Sequence, residues 1–369
     1  MKNLICKGCG SKLQNLDENK PGFINKIDET KSELYCKRCY RLMHYNEFPK
    51  IVANNEDYEL IVDDLLKKKG LIVLVVDLFD FTGSFIPKIM DKLRDKHVIL
   101  VANKLDLLPK SVNVSNILSW LSYMTNRYFF RVDAIHIVSS KKEYNIDPLM
   151  NTIEFLRDNE DVYFMGCANV GKSSLINCLI KRFSSRNTDI IATSPIPGTT
   201  LSSINIPFFE DNHSFIDTPG LINERNALSC LNEKSYDLLL PKKEIKPISY
   251  QLEEGNCVIL GAIFVAALVN AKETTTFTAY VSDNVTVHRR KNIDTLEFIE
   301  KHRGQLLVPP VSDDKSKLHF IKKVFEIKDN KQDLVISGLG FITINKPCTI
   351  EVNVIDGLDV FLRNAIFGK

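Results

Sequence analysis

The stretch Gly166-Cys-Ala-Asn-Val-Gly171-Lys172-Ser173 determines how the middle of this chain is expected to fold. It fits the pattern GxxxxGK[ST], in which glycines let backbone N–H groups turn inward around a chain of phosphates. The apolar residues 162–165 predict a buried strand before it, and residues 174–181 predict a helix after it. A helix that begins at such a loop adds a dipole that favours anions. A chance glycine turn is the alternative, and the strand–loop–helix context argues against it.

Each position of this loop has an expected role. Lys172 is predicted to reach the β- and γ-phosphates, and the Ser173 hydroxyl to bind Mg²⁺. The residues of this stretch that we expect to contact a nucleotide are Gly166, Asn169, Val170, Gly171, Lys172, Ser173 and Ser174.

Two later segments complete a phosphate site. In Asp217-Thr-Pro-Gly220, the carboxylate of Asp217 can hold Mg²⁺ through water and the N–H of Gly220 can meet the γ-phosphate. In the segment at residues 197–201, Thr200 is the expected switch threonine that binds Mg²⁺, and Thr199 competes for that role. The alternative is a plain turn. We expect Lys172, Thr200 and Asn169 to take part in catalysis.

The segment Asn103-Lys-Leu-Asp106 predicts which base is bound. It follows the apolar residues 98–102, which read as a buried parallel strand. The carboxylate of Asp106 can accept hydrogen bonds from N1–H and N2–H₂ of guanine, whereas adenine offers no such pair of donors. Asn103 can bridge the base edge and neighbouring loops, while the aliphatic stem of Lys104 lies along the ring.

A second base segment, Ser139-Ser-Lys141, ends the strand predicted at residues 134–138. The backbone N–H of Ser140 can meet guanine O6, so Ser139, Ser140 and Lys141 join the expected site. Both segments lie at the carboxyl ends of strands, where ligands bind in open α/β sheets. The predicted ligands are therefore GTP or GDP with Mg²⁺.

The order of these segments is unusual, because the base-reading segments precede the phosphate-reading ones. In the common arrangement of a GTPase the phosphate loop opens the domain. The order predicts a circularly permuted GTPase domain, in which the Asp217–Gly220 switch leads directly into the rest of the chain and can relay the nucleotide state to it.

The hydrolytic machinery lacks one expected group. Leu221 stands where many GTPases carry a glutamine that orients water, so we expect low intrinsic turnover. Asn169 resembles the asparagine of potassium-stimulated GTPases, in which K⁺ supplies charge. Simple loop turning explains Asn169 equally well.

Four of the nine cysteines form two pairs, Cys6-Lys-Gly-Cys9 and Cys36-Lys-Arg-Cys39. Two C-x₂-C pairs fit one tetrahedral zinc site of four thiolates, Cys6, Cys9, Cys36 and Cys39. Disulfides or chance pairing are the alternatives, and disulfides require an oxidising compartment that no signal peptide here indicates. The other cysteines are expected at buried apolar positions.

Basic and aromatic residues around the second cysteine pair, at 37–45, suit RNA phosphates and unstacked bases, and a merely structural knuckle is the alternative. The basic residues 287–291 also suit RNA, or a solvated charged turn. The glycines of residues 337–340 predict a turn into a strand.

The net charge of +2 excludes a polycationic nucleic-acid coat, so any RNA affinity must come from local patches. The longest apolar stretch, residues 258–269, is too short to span a bilayer. No presequence is evident, and we expect a cytoplasmic protein.

The 369 residues are long enough for two or three domains. We predict a zinc module at 1–50, a circularly permuted P-loop GTPase domain at 58–224 and a β-rich C-terminal domain at 225–369. The GTPase domain is α/β, with a doubly wound, mostly parallel sheet. Its predicted strands are 71–76, 98–102, 134–138, 162–165, 203–206 and 215–216, and its helices include 117–126 and 148–157.

With these motifs, the chain closely resembles the YqeH family of circularly permuted bacterial GTPases over nearly its whole length. The resemblance includes Val76-Asp-Leu-Phe-Asp-Phe-Thr-Gly-Ser84, Leu307-Val-Pro-Pro310 and Ser337-Gly-Leu-Gly-Phe341. Asp77 and Asp80 there have the simpler reading of capping a strand end and a turn. The resemblance implies GTP hydrolysis, stimulation by K⁺ and a role in assembly of the small ribosomal subunit.

The expected function is therefore a monomeric GTPase that acts on the small ribosomal subunit or its precursor rRNA, without a membrane. One alternative is a zinc-containing RNA-binding scaffold whose GTP/GDP site is a sensor with negligible turnover. A third is a GTPase for non-ribosomal RNA or replication control.

Overall fold

A computed structural model of the chain describes residues 4, 12–16, 22–25, 34, 36–37, 52–53, 55–183, 203–221, 223–314 and 318–367. The chain divides into two compact units. Unit 1 comprises residues 1–78, 84–105 and 121–222, and unit 2 comprises Phe79–Gly83, Asp106–Trp120 and Asn223–Lys369.

Unit 1 is built on a mostly parallel sheet. Its described strands are β1 (Val52–Ala53), β2 (Leu71–Asp77), β3 (Val98–Asn103), β4 (Ala134–Ile137), β5 (Val162–Met165), β6 (Ile204–Pro207), β7 (Ser214–Asp217) and β8 (Gly220–Leu221). Six of these strands form one sheet in the order β4-β3-β2-β5-β7-β6, while β1 and β8 pair separately. The β6–β7 pair is antiparallel and the other pairs of the six-stranded sheet are parallel. The predicted mostly parallel sheet is confirmed.

The centre of this sheet follows directly from composition. Every residue of β2 and β3 is buried. Continuous runs of Val, Ile and Leu suit strands that are covered on both faces, as in the interior of a parallel sheet. Both strands extend one residue past the predicted 71–76 and 98–102, which places Asp77 and Asn103 at their carboxyl ends.

Amphipathic helices accompany the sheet. In α5 (Ile146–Leu156) the residues Ile146, Leu149, Met150 and Ile153 are buried, at the spacing that puts them on one helical face. The described helices up to residue 183 are α1 (Asn55–Leu66), α2 (Phe81–Ser84), α3 (Pro87–Lys92), α4 (Val114–Arg127), α5 (Ile146–Leu156) and α6 (Lys172–Phe183). No helix in the described ranges is long and apolar enough to cross a bilayer.

Unit 2 is a sandwich of two antiparallel sheets. Its strands are β9 (Ile248–Leu252), β10 (Asn256–Leu260), β11 (Phe264–Asn270), β12 (Thr275–Val281), β13 (Val287–Lys291), β14 (Phe320–Ile327), β15 (Gln332–Ile336), β16 (Gly340–Ile344), β17 (Cys348–Ile355) and β18 (Val360–Asn364). The first sheet has the order β13-β10-β11-β17-β14 and the second β18-β15-β16-β12-β9. Its helices are α7 (Ala227–Cys230), α8 (Glu233–Leu239) and α9 (Thr295–His302). The β-rich character predicted for this region is confirmed.

The two sheets share one apolar core. Phe264 of β11 and Phe277 of β12 belong to the same buried cluster. On the other face of the first sheet, β10 and β11 pack against Ile299 of α9. Both faces of these two strands are therefore buried, which explains why residues 258–269 read as an unbroken apolar run.

The basic residues 287–291 form β13, an edge strand paired with β10, so the alternative of a charged turn is wrong. Arg289 and Lys291 are exposed there. Exposed charges on an edge strand disfavour pairing with the edge of another chain.

Unit 2 contains a buried ion pair between Asp333 and Arg363, which are 0% and 3% exposed. Arg363 Nε donates to Asp333 Oδ2 at 3.2 Å, and Thr343 Oγ1 donates to Oδ1 at 2.6 Å. The backbone N–H of Ile366 donates to Oδ2 at 3.1 Å. Burial raises the pKa of Asp333, and the charge of Arg363 opposes that rise.

Arg363 also binds the two N-terminal segments that belong to unit 2. Its Nη1 donates to Thr82 Oγ1 at 3.1 Å, and its guanidinium carbon lies 5.0 Å from the ring centroid of Trp120 and 4.9 Å from that of Phe341. The indole N–H of Trp120 donates to the carbonyl of Asn364 at 3.0 Å. The segments Phe79–Gly83 and Asp106–Trp120 are thus fixed to the sandwich by specific polar contacts.

Replacing Asp333 with Asn keeps the shape of the side chain and removes the charge that balances Arg363. Because a buried guanidinium without a counter-charge is strongly unfavourable, we expect the free energy of unfolding of unit 2 to fall by about 3–5 kcal/mol. Trp120 is the single tryptophan of the chain, so urea unfolding followed by its fluorescence measures the loss.

The matched control is the pair of the exposed Lys322 with the half-buried Glu351, whose Nζ and Oε2 atoms are 2.6 Å apart. Lys322→Ala is expected to cost about 0–1 kcal/mol, since water screens the pair. An Asp333→Asn variant that unfolds no earlier than Lys322→Ala would contradict this assignment.

Candidate functional site

The phosphate loop joins β5 to α6 as predicted, and α6 begins at Lys172, two residues before the predicted 174. Gly166 has φ +151°, and a Cβ there would lie 2.3 Å from the carbonyl oxygen of Val75. Gly171 has φ +88°, and its Cβ would lie 2.4 Å from Asn103 Nδ2. Both glycines are therefore required by left-handed backbone and by the close approach of Val75 and Asn103.

Lys172 and Asp217 meet beside this loop. Lys172 Nζ lies 2.7 Å from Asp217 Oδ1, with side chains 7% and 4% exposed. Ser173 Oγ donates to Asp217 Oδ2 at 3.4 Å. The strand β7 that ends at Asp217 is the parallel neighbour of β5, so the two carboxyl ends adjoin. One ammonium, one carboxylate and one hydroxyl converge here, and such oxygens suit Mg²⁺ while the ammonium suits phosphate.

Asn103 connects the base segments to the phosphate loop. Its side chain is completely buried, and Nδ2 donates to the carbonyls of Val170 at 3.1 Å and Gly171 at 3.3 Å. Its Oδ1 accepts the backbone N–H of Ser140 at 3.1 Å. Three loops at the ends of β3, β4 and β5 are thus joined by one amide. The N–H of Ser140 that we expect to meet guanine O6 is bonded to Asn103 in the structure.

Lys104 is positioned by a residue that the sequence did not single out for this purpose. It has φ +68°, and its Nζ lies 2.6 Å from Asp77 Oδ2. Asp77 is aligned with Asn103 in the β2–β3 ladder, so the carboxylate faces the start of the base segment. The N–H of Asp77 donates to Ser84 Oγ at 2.9 Å. Asp77 therefore does more than cap a strand, and its place at the end of the strand next to β3 is the signal that could have identified it.

The remaining base residues occupy the ends of the predicted strands. Asp106 lies in the one-turn 3₁₀ helix Leu105–Leu107 that follows β3. Ser139 is buried, and its hydroxyl accepts the N–H of Lys142 at 3.0 Å. Lys141 is exposed.

Within the phosphate loop, Asn169 has φ +65°, Val170 is buried and Ser174 is exposed on the first turn of α6. Left-handed backbone is tolerated better by Asn than by most residues, which fits the loop-turning explanation of Asn169. The predicted Mg²⁺ ligand Thr200 and its competitor Thr199 lie outside the described residues.

The switch segment is bonded to the phosphate loop through its backbone. Leu221 N–H donates to the Gly166 carbonyl at 3.2 Å, and Ala168 N–H donates to the Leu221 carbonyl at 2.8 Å. Gly220 pairs with Val52 in the short β1–β8 ladder. The side chain of Leu221 is buried, so the residue that replaces a water-orienting glutamine points into the protein.

Of the predicted zinc cysteines, only Cys36 lies among the described residues; Cys6, Cys9 and Cys39 do not. Cys36 is buried in a small cluster with Leu13 and Leu34. Across the described positions, no group of three or more His, Cys, Asp and Glu is arranged to hold a metal.

The other cysteines are mostly buried, as expected. Cys167, Cys178 and Cys257 are buried, whereas Cys230 and Cys348 are half-buried. Burial raises the pKa of the thiols of Cys178, Cys230 and Cys257, and raises that of Cys348 to about 11. A raised pKa lowers the thiolate fraction at neutral pH, which makes these four thiols poor nucleophiles.

Two family models match the chain. One, described as 50S ribosome-binding GTPase, matches residues 161–256, and the other, described as YqeH-like, C-terminal, matches residues 274–366. The first covers the phosphate loop and the Asp217 switch, which is where the structure brings Lys172, Ser173 and Asp217 together.

Similar proteins extend the match across the chain. YqeH of Bacillus subtilis (strain 168) is 34% identical over 368 residues, which cover 99% of this chain and 100% of that protein. The NO-associated protein 1, chloroplastic/mitochondrial, of Arabidopsis thaliana is 30% identical over 389 residues, covering 92% of this chain and 69% of that protein. GTPase Der of Aquifex aeolicus (strain VF5) is 29% identical over 181 residues, covering 45% and 38%. With a phosphate loop tied to a base-reading segment and sequence identity over its full length, the chain belongs to the YqeH family and carries a GTPase domain.

Proposed function

We propose that the chain binds GTP and GDP with Mg²⁺, hydrolyses GTP, and acts in assembly of the small ribosomal subunit. The observation that carries this proposal is the bonding of Asn103 to Val170, Gly171 and Ser140, which makes one site out of the phosphate loop and the base segments. We propose that the protein acts as a monomer in the cytoplasm and that no membrane takes part.

In this proposal, guanine is selected by Asp106. Its carboxylate accepts N1–H and N2–H₂, an arrangement that adenine cannot satisfy. Asp77 holds Lys104 by an ion pair of 2.6 Å, which directs the aliphatic stem of Lys104 along the base. In the bound state we expect Ser140 to share its N–H between Asn103 Oδ1, which accepts it in the structure, and guanine O6. Ser139 and Lys141 complete that loop.

The phosphates and the metal belong to the second half of the site. Lys172 would hold the β- and γ-phosphates, while Ser173, Thr200 and Asp217 would hold Mg²⁺, directly or through water. The bound ion would neutralise charge on the phosphates. The ion pair of Lys172 with Asp217 supports these roles, because it places the group that would bind the phosphates next to the group that would bind Mg²⁺.

We infer a low intrinsic rate of hydrolysis. The buried side chain of Leu221 cannot orient water, and this same observation favours the second candidate function, a zinc-containing RNA-binding sensor with negligible turnover. We propose that Asn169, whose left-handed backbone serves the turn of the loop, also binds a K⁺ ion that supplies charge during hydrolysis. Equal turnover in potassium and sodium chloride would remove that assignment, and no turnover in either salt would favour the sensor.

We also propose that the domain is circularly permuted. The strand before the phosphate loop, β5, lies in the middle of the sheet. The strands before the base segments, β3 and β4, lie on the far side of its neighbour β2, although they come earlier in the chain. The GTPase family match begins at residue 161 and leaves residues 103–141 outside it. Both facts support a permuted order.

The permutation suggests a relay to the C-terminal part of the chain. Leu221 is bonded to the backbone of the phosphate loop, and unit 2 resumes at Asn223. We propose that contact between Gly220 and a γ-phosphate orders this switch and that hydrolysis releases it, so that the nucleotide state sets the affinity of the C-terminal domain at 225–369 for ribosomal RNA.

The N-terminal cysteines support a zinc module at residues 1–50. The described cluster around Cys36 contains only Leu13 and Leu34 as further buried residues, with Leu4 and Ile24 packed against it. A structural metal is the usual source of stability in modules of about 50 residues. We propose a Zn²⁺ ion bound by Cys6, Cys9, Cys36 and Cys39, with RNA contact by the basic and aromatic residues around Cys39.

Sedimentation with purified ribosomal subunits tests the proposed partner and the relay. We expect binding to the small subunit to differ between GDP and a non-hydrolysable GTP analogue by about 5–150-fold, a usual range for coupled sites. The large subunit is a necessary comparison, because the matching GTPase family is described by its binding to the 50S particle.

The control is Lys172→Ala, which should bind the small subunit equally in both nucleotides because it cannot hold the triphosphate. Preference for the large subunit would refute the small-subunit assignment. Affinities of the parent within about twofold of each other in the two nucleotides would refute the relay, since coupled sites differ by more than this.

Zinc is predicted at one ion per chain, measured by mass spectrometry of the purified protein. Cys36→Ser should lose the metal and the protease resistance of residues 1–50, because metal binding supplies the folding energy of such modules. Cys230→Ser, which alters a half-buried thiol of unit 2, is the matched control and should keep the ion. A metal-free parent with a protease-resistant N-terminal region would contradict the module.

A further inference from the structure

A cleft in unit 2 belongs to no part of the nucleotide site described above. Its volume is about 180 Å³, and its walls come from residues 109–116, from Pro247, from β12 and from the end of the chain. Ser111, Asn116 and Tyr280 are among the lining residues. The volume lies below the roughly 300–1,000 Å³ of sites for drug-sized ligands, so it fits one planar base or one side chain.

The polar groups of this cleft are available to a ligand. Within the described part of the chain, the Tyr280 hydroxyl, the Asn116 amide and the Ser111 hydroxyl make no hydrogen bond to protein. Asn113 contributes its amide NH₂, since its Oδ1 accepts the N–H of Ser115 at 2.9 Å. Amides and hydroxyls both donate and accept, which is what the edge of a nucleobase requires.

Aromatic rings form the opposite wall. Tyr280 stacks on the buried ring of Phe341, with centroids 4.7 Å apart and planes 16° apart. Phe367 packs against Tyr280 at 4.9 Å. Phe341 therefore fixes Tyr280 in place, and rigid rings are good surfaces for unstacked bases.

The rim of the cleft carries positive charge. Lys110 lies between the lining residues Pro109 and Ser111, and its side chain is 90% exposed. Lys246 precedes the lining residue Pro247, is exposed, and makes no ion pair with any described residue. One carboxylate is near, because Glu244 Oε2 lies 3.6 Å from Lys110 Nζ. Two exposed lysines favour an anionic chain such as RNA over a neutral peptide.

We propose that this cleft binds one unstacked base of single-stranded RNA, with Lys110 and Lys246 on the flanking phosphates. The proposal deepens the proposed function, since it rests on RNA being the partner of the C-terminal domain and names where one nucleotide is held. The base would lie against Tyr280 and Phe367 and form hydrogen bonds with the amide of Asn116.

The test is binding of fluorescent single-stranded oligoribonucleotides to the full chain, measured by anisotropy. Phe367→Ala should weaken binding by about 5–150-fold, the usual effect of removing one stacking ring. Asn116→Asp should also weaken binding, because it adds a negative charge on an exposed helical position without changing the size of the side chain. Crosslinking by ultraviolet light should attach the RNA to Tyr280 or Phe367.

The matched control is Asn270→Asp, the same change at an exposed residue of β11 that does not line the cleft. Equal affinity of the parent, Phe367→Ala, Asn116→Asp and Asn270→Asp would overturn the proposal, and so would a parent that binds no oligonucleotide. If the cleft substitutions weakened binding of a proline-rich peptide but left oligonucleotide binding unchanged, the cleft would be a peptide site. That result would also overturn the proposal.

The cleft and the proposed function can fail separately. Small-subunit association and GTP affinity are measured in the same variants. If the parent associates with the small subunit and the cleft substitutions leave oligonucleotide affinity unchanged, only the cleft assignment fails. If the parent binds the oligonucleotide through the cleft but not the small subunit, the ribosomal assignment fails and the RNA site remains.

Discussion

The hydrogen bonds of Asn103 are the constraint on which the nucleotide site depends. Its amide is fully buried and reaches the carbonyls of Val170 and Gly171 on one side and the N–H of Ser140 on the other. A buried amide that loses its partners costs about 1–3 kcal/mol for each unsatisfied group. These hydrogen bonds therefore hold the phosphate loop and the base loops in one arrangement, although 67 residues of sequence separate Asn103 from Val170.

The parallel sheet makes these bonds possible. Because β2, β3, β4, β5 and β7 run in the same direction, their carboxyl ends and the loops that follow lie along one edge. Asp77, Asn103 and Asp217 each end a strand at that edge. The geometry requires the strands to be neighbours in space and places no demand on which loop comes first in the chain. A permuted order is therefore compatible with an ordinary nucleotide site.

Local pattern was sufficient to predict most of the sheet and the identity of the phosphate loop. The apolar runs of β2, β3 and β5 are continuous, and the motif residues stand at or just after their carboxyl ends. In β12 buried and half-buried residues alternate, as a strand with one buried face requires. The Asp77–Lys104 ion pair could not be predicted from local pattern, because it depends on the register between two strands.

Local pattern also could not predict which segments of the chain belong to unit 2. Phe79–Gly83 and Asp106–Trp120 lie among residues predicted for the GTPase domain, yet they belong to the unit that contains the sandwich. Their place depends on Arg363, which meets Thr82 and Trp120 across more than two hundred residues of sequence. For the basic residues of β13, the sequence left a charged turn open as an alternative, because an exposed edge strand and a charged turn have the same composition.

The most direct test of this account is the affinity of Asn103→Ala for inorganic tripolyphosphate, which has no base, compared with its affinity for GTP. If Asn103 holds the phosphate loop and the base loops together, both affinities fall, whereas in Asp106→Asn the tripolyphosphate affinity stays at the parent value and preference moves from GTP toward xanthosine triphosphate. Circular dichroism confirms that each variant is folded before binding is measured. An Asn103→Ala variant that binds tripolyphosphate as the parent does would contradict the account, because the phosphate loop would then be independent of the base-reading segment.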